Sequence, residues 1–117
     1  MVSTISSSLS ALSAFGKKLA VTANNIANVN TDGFKKSRAI LQEGPYGGVE
    51  VTINRIDTPG YPIMEERSGQ VTERETSNVD LTEEIPQMML VKRAYQANTK
   101  PIKAHDEMLG SLIDILR

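Results

Sequence analysis

The chain is predicted to be mainly α with a small β insertion, its N- and C-terminal helices paired as a coiled-coil-like hairpin with a β-hairpin between them. Three observations predict this. Near the start, Ile5, Leu12, Leu19 and Ile26 recur every seven residues, with Val2, Leu9, Gly16 and Ala23 at companion positions. Near the end, Leu81, Met88, Tyr95, Ile102, Leu109 and Leu116 keep the same spacing. Between them the period drops to two, where Val49, Val51 and Ile53 alternate with Glu50, Thr52 and Asn54. A period of seven gathers apolar side chains on one narrow seam of a helix, suited to pairing with other helices; a period of two suits a half-buried strand. At 117 residues the chain reads as a single domain, 1–117, with a terminal helical core of 1–38 and 77–117 and a β-rich insertion of 39–76.

The first helix is expected from residue 1 to about residue 30. Ser3 or Thr4 can cap it by accepting a bond from a free backbone N–H. Its stop is Asn30-Thr31-Asp32-Gly33, where glycine takes the left-handed conformation that closes a helix. Such a helix is about 40 Å long, more than a globule of this size needs. Gly16 either admits a neighbouring backbone or is a weak point costing about 1 kcal/mol relative to alanine. Five serines (Ser6, Ser7, Ser8, Ser10, Ser13) and four asparagines (Asn24, Asn25, Asn28, Asn30) make the segment poor in intrinsic helix formers. It should be partly unfolded alone and gain order by docking its seam.

In the insertion, Gly44-Pro45 and Gly47-Gly48 punctuate the start of the strand around Val49–Ile53. Thr58-Pro59-Gly60-Tyr61 fits a type II turn, with a second strand at 61–66 or at 70–75 around Gly69. A hairpin this small needs something to lie against. The last helix should start near Asp80, with Glu83 completing a variant capping box and Glu83 and Glu84 suiting the positive helix start. Pro86 offers an alternative start with Thr82 as the cap, and Pro101 should kink the helix about halfway along.

The composition excludes several function classes. The chain is 39% hydrophobic but only 4% aromatic, with no cysteine and no tryptophan, so a large core, disulfides and thiolate metal sites are ruled out. Thirteen basic residues against fourteen acidic ones argue against nucleic-acid binding. No apolar run is long enough to span a membrane, and the N-terminus lacks the pattern of a cleavable signal peptide. His105 is the only histidine and lies beside the apolar seam, where packing is its ordinary role. The adjacent acids Glu65-Glu66 and Glu83-Glu84 point in different directions and read as solvated faces. The glycine-rich stretch 44–48 lacks the lysine and helix start of a phosphate cradle. Met88 and Met89 suit core packing or an adaptable interface. No catalytic, cofactor-binding or metal site is expected. Ile5, Leu9, Leu12, Leu19, Ile26, Leu81, Met88, Tyr95, Ile102, Leu109, Leu112 and Leu116 are the candidate packing residues.

Residues 23–35, Ala-Asn-Asn-Ile-Ala-Asn-Val-Asn-Thr-Asp-Gly-Phe-Lys, resemble the signature of bacterial flagellar rod and hook proteins. The stretch Ser77-Asn-Val-Asp-Leu-Thr-Glu-Glu84, then Arg93-Ala-Tyr-Gln-Ala-Asn98 and Asp106-Glu-Met-Leu109, resembles the C-terminal end of the same family. By size the chain is similar to short proximal-rod members such as basal-body rod protein C. It departs from them in Pro86, Pro101 and a short middle segment. The resemblance implies terminal helices that pair into the inner layer of a helical tube of the periplasmic rod. It also implies partners among copies of itself and other rod and hook proteins, and passage through the flagellar type III export apparatus without loss of a signal peptide. It places Asn24, Asn25, Asn28, Asn30 and Gly33 at the end of the first helix and its turn, hydrogen bonding within the turn and across subunits or simply ending the helix. The expected function is thus that of a non-enzymatic structural subunit. Its rivals are an export or assembly adaptor that mimics axial subunits and a small hydrolase using His105.

Overall fold

The computed structural model describes residues 2–117, and side-chain surroundings from residue 4 onward. In order along the chain come α1 (Val2–Ala27), β1 (Ser37–Glu43), β2 (Val49–Arg55), β3 (Pro62–Arg67), β4 (Gln70–Glu75) and α2 (Leu81–Leu116). The molecule is a rod of 83 × 27 × 18 Å. Its two helices lie antiparallel with the strands beside them, as the fold class predicted. Ser3 and Thr4 lie within α1, so neither caps it. The helix ends at Ala27, a little ahead of the expected stop. The chain then passes through turns to Gly33, which takes φ +70° but does not close α1: its amide donates to the Glu75 carbonyl at 2.9 Å, tying the turn to β4.

α2 starts where Asp80 accepts a bond from the Thr82 amide at 2.9 Å, so Asp80 and not Thr82 is the cap. The capping box stays half made: the Glu83 carboxylate is taken by Lys36 and Arg38 instead. α2 runs unbroken through Pro86 and Pro101. Both prolines are exposed, as are Thr82 and Ala97, whose carbonyls lose a helical donor, so water can satisfy those carbonyls and the helix need not end.

The insertion contains two hairpins where one was expected. β1 pairs with β2, Leu41 opposite Val51, and β3 pairs with β4, Met64 opposite Glu73. The turn at 44–48 therefore joins two strands rather than opening one, closed by the Gly44 amide on the Gly48 carbonyl at 2.7 Å. Both segments proposed as the second strand are strands, and they pair with each other. Ser68 and Gly69, at φ 54° and 79°, form the two-residue turn between them. Residues 58–61 form no type II turn, because Gly60 is not among the residues with positive φ. Glycine is needed at 60 for a different reason: a Cβ there would fall on the Thr76 carbonyl oxygen.

β1 and β2 lie along α1, where the Ser10 hydroxyl accepts from the Val49 amide at 2.8 Å and donates to its carbonyl at 3.1 Å. The apolar core is thin. Among the described residues, only Ala11, Ala14 and Val91 are buried hydrophobics.

Candidate functional site

Where α1, β1 and α2 meet, a polar junction replaces a hydrophobic core. Asn25 is fully buried. Its Oδ1 accepts from the Ser37 amide at 3.0 Å, and its Nδ2 donates to the Ser37 carbonyl at 2.8 Å and to Glu84 Oε2 at 3.3 Å. The asparagine side chain thus mimics a neighbouring strand at the start of β1. Glu84 is also fully buried, and its other oxygen accepts from Arg38 Nη1 at 2.5 Å. Arg38 Nη2 reaches Glu83 at 2.7 Å, and Lys36 reaches the same carboxylate at 3.1 Å. Asn78 joins the other side: its Oδ1 accepts from the Lys36 amide at 2.7 Å, and its Nδ2 donates to the Ile56 and Thr58 carbonyls at 2.8 and 2.9 Å.

The four motif asparagines therefore differ in what they do. Asn28 bonds within the turn, donating to the Asn24 carbonyl at 2.8 Å and its side-chain oxygen at 3.2 Å, and accepting from the Thr31 hydroxyl at 3.1 Å. Asn25 reaches across to β1 and α2. Asn30 is exposed, without a side-chain hydrogen bond among the described residues. Glu84, expected on a solvated face, is instead the buried partner of Asn25 and Arg38. Nothing in helical periodicity marks it, because its burial depends on Arg38 arriving from a strand that sequence reasoning missed.

Two carboxylates beside the junction are held below their ordinary range. The Lys35 ammonium is the main cause for Glu75, helped by the Gly60 amide at 2.8 Å; the Thr82 hydroxyl and then its amide do the same for Asp80. A depressed folded-state pKa contributes stability that is present above the unfolded value and lost as pH falls through the folded one. The ordinary values are 4.5 and 3.8, so the Gly60 and Thr82 contacts are expected to hold near neutrality and loosen below them. Amide resonances of Gly60 and Thr82 followed by NMR as the pH falls from neutrality check this: a titration step centred at or above the ordinary carboxylate value contradicts it.

The candidate packing residues are not brought together in the interior. Ile5, Leu12, Leu19 and Ile26 are half-buried, and Leu9 is 54% exposed. Among the described residues, the buried positions of α1 are Ser8, Ala11, Ala14, Thr22 and Asn25; Ser8 and Thr22 lie about 40–60° round the helix from that seam and the other three about 100° or more. In α2, Met88 and Ile102 are half-buried, while Leu81, Tyr95, Leu109, Leu112 and Leu116 are exposed. The residues turned inward are Glu84 and Val91, with Asn98 and His105 half-buried at the same spacing. Small and polar side chains thus occupy the buried positions, and large apolar ones stay half-buried or exposed.

The ends of the helices do not match. With Asn25 bonded to Glu84, antiparallel counting puts the start of α1 opposite about residue 107 of α2. Residues beyond it extend about 14 Å past α1. Leu109, Leu112, Ile113, Ile115 and Leu116 lie there, 46%, 53%, 55%, 78% and 85% exposed. The whole chain exposes 8503 Å² for 12.8 kDa. A compact monomer of that mass exposes about 6,300 Å². The excess, about 2,200 Å², is the size of a specific protein–protein interface.

Among the described residues, no group of His, Cys, Asp and Glu could hold a metal ion, and no helix is long and apolar enough to cross a membrane. None of their buried side-chain polar atoms lacks a partner.

Comparison with known proteins matches both ends of the chain. Residues 5–35 fit the family described as flagella basal body rod protein, and residues 70–115 fit the family described as flagellar basal body rod FlgEFG protein C-terminal. The flagellar basal-body rod protein FlgG of Bacillus subtilis is 44% identical over 89 residues, covering 75% of this chain and 32% of the relative. The flagellar hook protein FlgE of Escherichia coli is 42% identical over 41 residues, 35% of this chain and 10% of the relative, and that of Salmonella typhimurium gives the same figures. The chain thus spans about a third of that rod protein's length and a tenth of the hook proteins'.

Proposed function

For a chain that belongs to the bacterial flagellar basal-body rod and hook protein family, we propose a structural, non-enzymatic role: a subunit of the flagellar rod that polymerises through its terminal helices into a helical tube. The observation that carries this reading is that both family matches fall on the ends of the chain, where large apolar side chains stay exposed in the single copy. Neighbours that cover those faces remove apolar surface from water, at roughly 25 cal/mol per Å² before ordering costs. Contacts of this kind, repeated head to tail without closing, build a filament. Identity over 89 residues to a rod protein, against 41 to hook proteins, supports the rod.

On this reading the whole chain is one domain, with 39–76 an insertion carried by the helical core. Its partners are copies of itself and other rod and hook proteins. It reaches the periplasmic rod through the type III export apparatus without a cleaved signal peptide.

Location tests the function against the adaptor alternative. Basal bodies purified free of cytosol are expected to contain the chain in stoichiometric amount beside the other rod proteins. Recovery in the cytosolic fraction alone overturns the reading.

A further inference from the structure

The β3–β4 hairpin packs against no other helix or strand of the chain. An isolated two-stranded hairpin is marginal in water, so a surface that completes it is to be sought elsewhere. Its two faces differ. Opposite and alternate residues share a face, which puts Ile63, Glu65 and Arg74 on one side. That side is tied to the chain's own turn, with Arg74 bonded to Asp32 at 3.0 Å and to Glu65 at 3.4 Å.

The other side carries Met64 opposite Glu73 and Glu66 opposite Val71. Met64 is 70% exposed and Val71 67% exposed. Glu66 and Glu73 form no ion pair among the described residues. The face is therefore a small apolar centre between two free carboxylates.

Its complement lies on α2. Met89 is 54% exposed, and Lys92 and Arg93, one turn further on, flank it at i+3 and i+4. Neither cation is paired among the described residues. Side chains at these helical spacings lie about 5–6 Å apart, and diagonal neighbours across a strand pair about 7–8 Å. Long acidic and basic side chains span that difference.

We propose that the β3–β4 hairpin of one copy docks on α2 of a second copy, setting Met64 and Val71 against Met89 and pairing Glu66 and Glu73 with Lys92 and Arg93. Two different surfaces are used, so the contact is head-to-tail and leaves each copy with one free hairpin or one free patch. The choice of occupant rests on the self-assembly reading above. The site itself rests on the free hairpin and the charge match.

The chain has no cysteine, so a disulfide trap reads this contact directly. Full-length chain with Met64→Cys is mixed with full-length chain with Met89→Cys under mild oxidation, and assembly is followed in parallel by sedimentation. A mixed disulfide dimer is expected as the main product. Adding Glu66→Lys and Glu73→Lys to the first chain is expected to cut its yield about tenfold, and Lys92→Glu with Arg93→Glu in the second to restore it. Assembly without the mixed dimer, or a yield indifferent to charge reversal, overturns the docking and leaves the helix-mediated assembly standing. Absence of any assembly overturns both.

Discussion

Leu109→Asp is expected to abolish incorporation into the rod, and with it motility, while leaving the lone chain folded. Leu109 lies on the part of α2 that runs past α1 and is 46% exposed in the single copy. An aspartate there costs the isolated chain almost nothing. In the proposed polymer the same position is covered by a neighbour. Losing the leucine forfeits about 2 kcal/mol of burial, and an unpaired carboxylate removed from water costs several more. Together these weaken each subunit contact by at least about a hundredfold, and a polymer repeats the loss at every copy. Leu19→Asp should also block assembly, but Leu19 is half-buried, so part of that effect will come from the helix pair itself. Leu109→Met, which keeps volume and polarity, should be tolerated. Motility plates report incorporation, and far-ultraviolet circular dichroism of the purified variant reports folding. A fully motile cell carrying both aspartates removes the basis for assembly through the helices.

The helices were legible because their signals are local: a seven-residue apolar repeat and an aspartate cap each act within a few residues. Which positions are buried within one copy was not. The apolar repeats were read as seams for other helices and for neighbouring subunits, while the positions buried in the single copy include Ser8, Ala11, Thr22, Asn25, Glu84 and Val91. A straight helix drifts about 20° per heptad from a strict repeat, and small side chains let two backbones approach at the cost of leaving large ones outside. Periodicity reports which side chains share a face, not which face a neighbour covers. The strands were half legible. Alternation marked β2, but Ser37–Glu43 has too few alternating positions to mark β1, and the pairing of β3 with β4 turned on Ser68-Gly69, a turn between two segments offered as alternatives. Asn25 was singled out by its motif, whereas its partners Ser37 and Glu84 lie 12 and 59 residues away in sequence, a distance no local rule spans.

The junction those residues form yields the second large effect. Glu84→Ala is expected to destabilise the chain by about 3 kcal/mol, the low end of the cost of breaking a buried ion pair. The low end applies because Arg38 keeps 30% of its side chain exposed and retains Glu83 as a partner. Asn25 loses one acceptor but keeps the Ser37 carbonyl. In most small domains such a loss is a fraction of the total stability. Among the described residues the buried apolar core is two alanines and one valine, so little remains to hold α2 against α1, and the thermal midpoint should fall by about 10 °C or more. The carboxylate need not be favourable in absolute terms, because taking it out of water offsets much of its attraction to Arg38. Glu84→Leu combined with Arg38→Met should therefore be markedly more stable than Glu84→Ala alone, since no unpaired charge is left behind and the cavity is filled. Thermal unfolding of the three chains, followed by circular dichroism at matched concentration, separates these outcomes. A Glu84→Ala midpoint within about 2 °C of the parent, a change well under 1 kcal/mol, would show that the helices are held by something other than this junction.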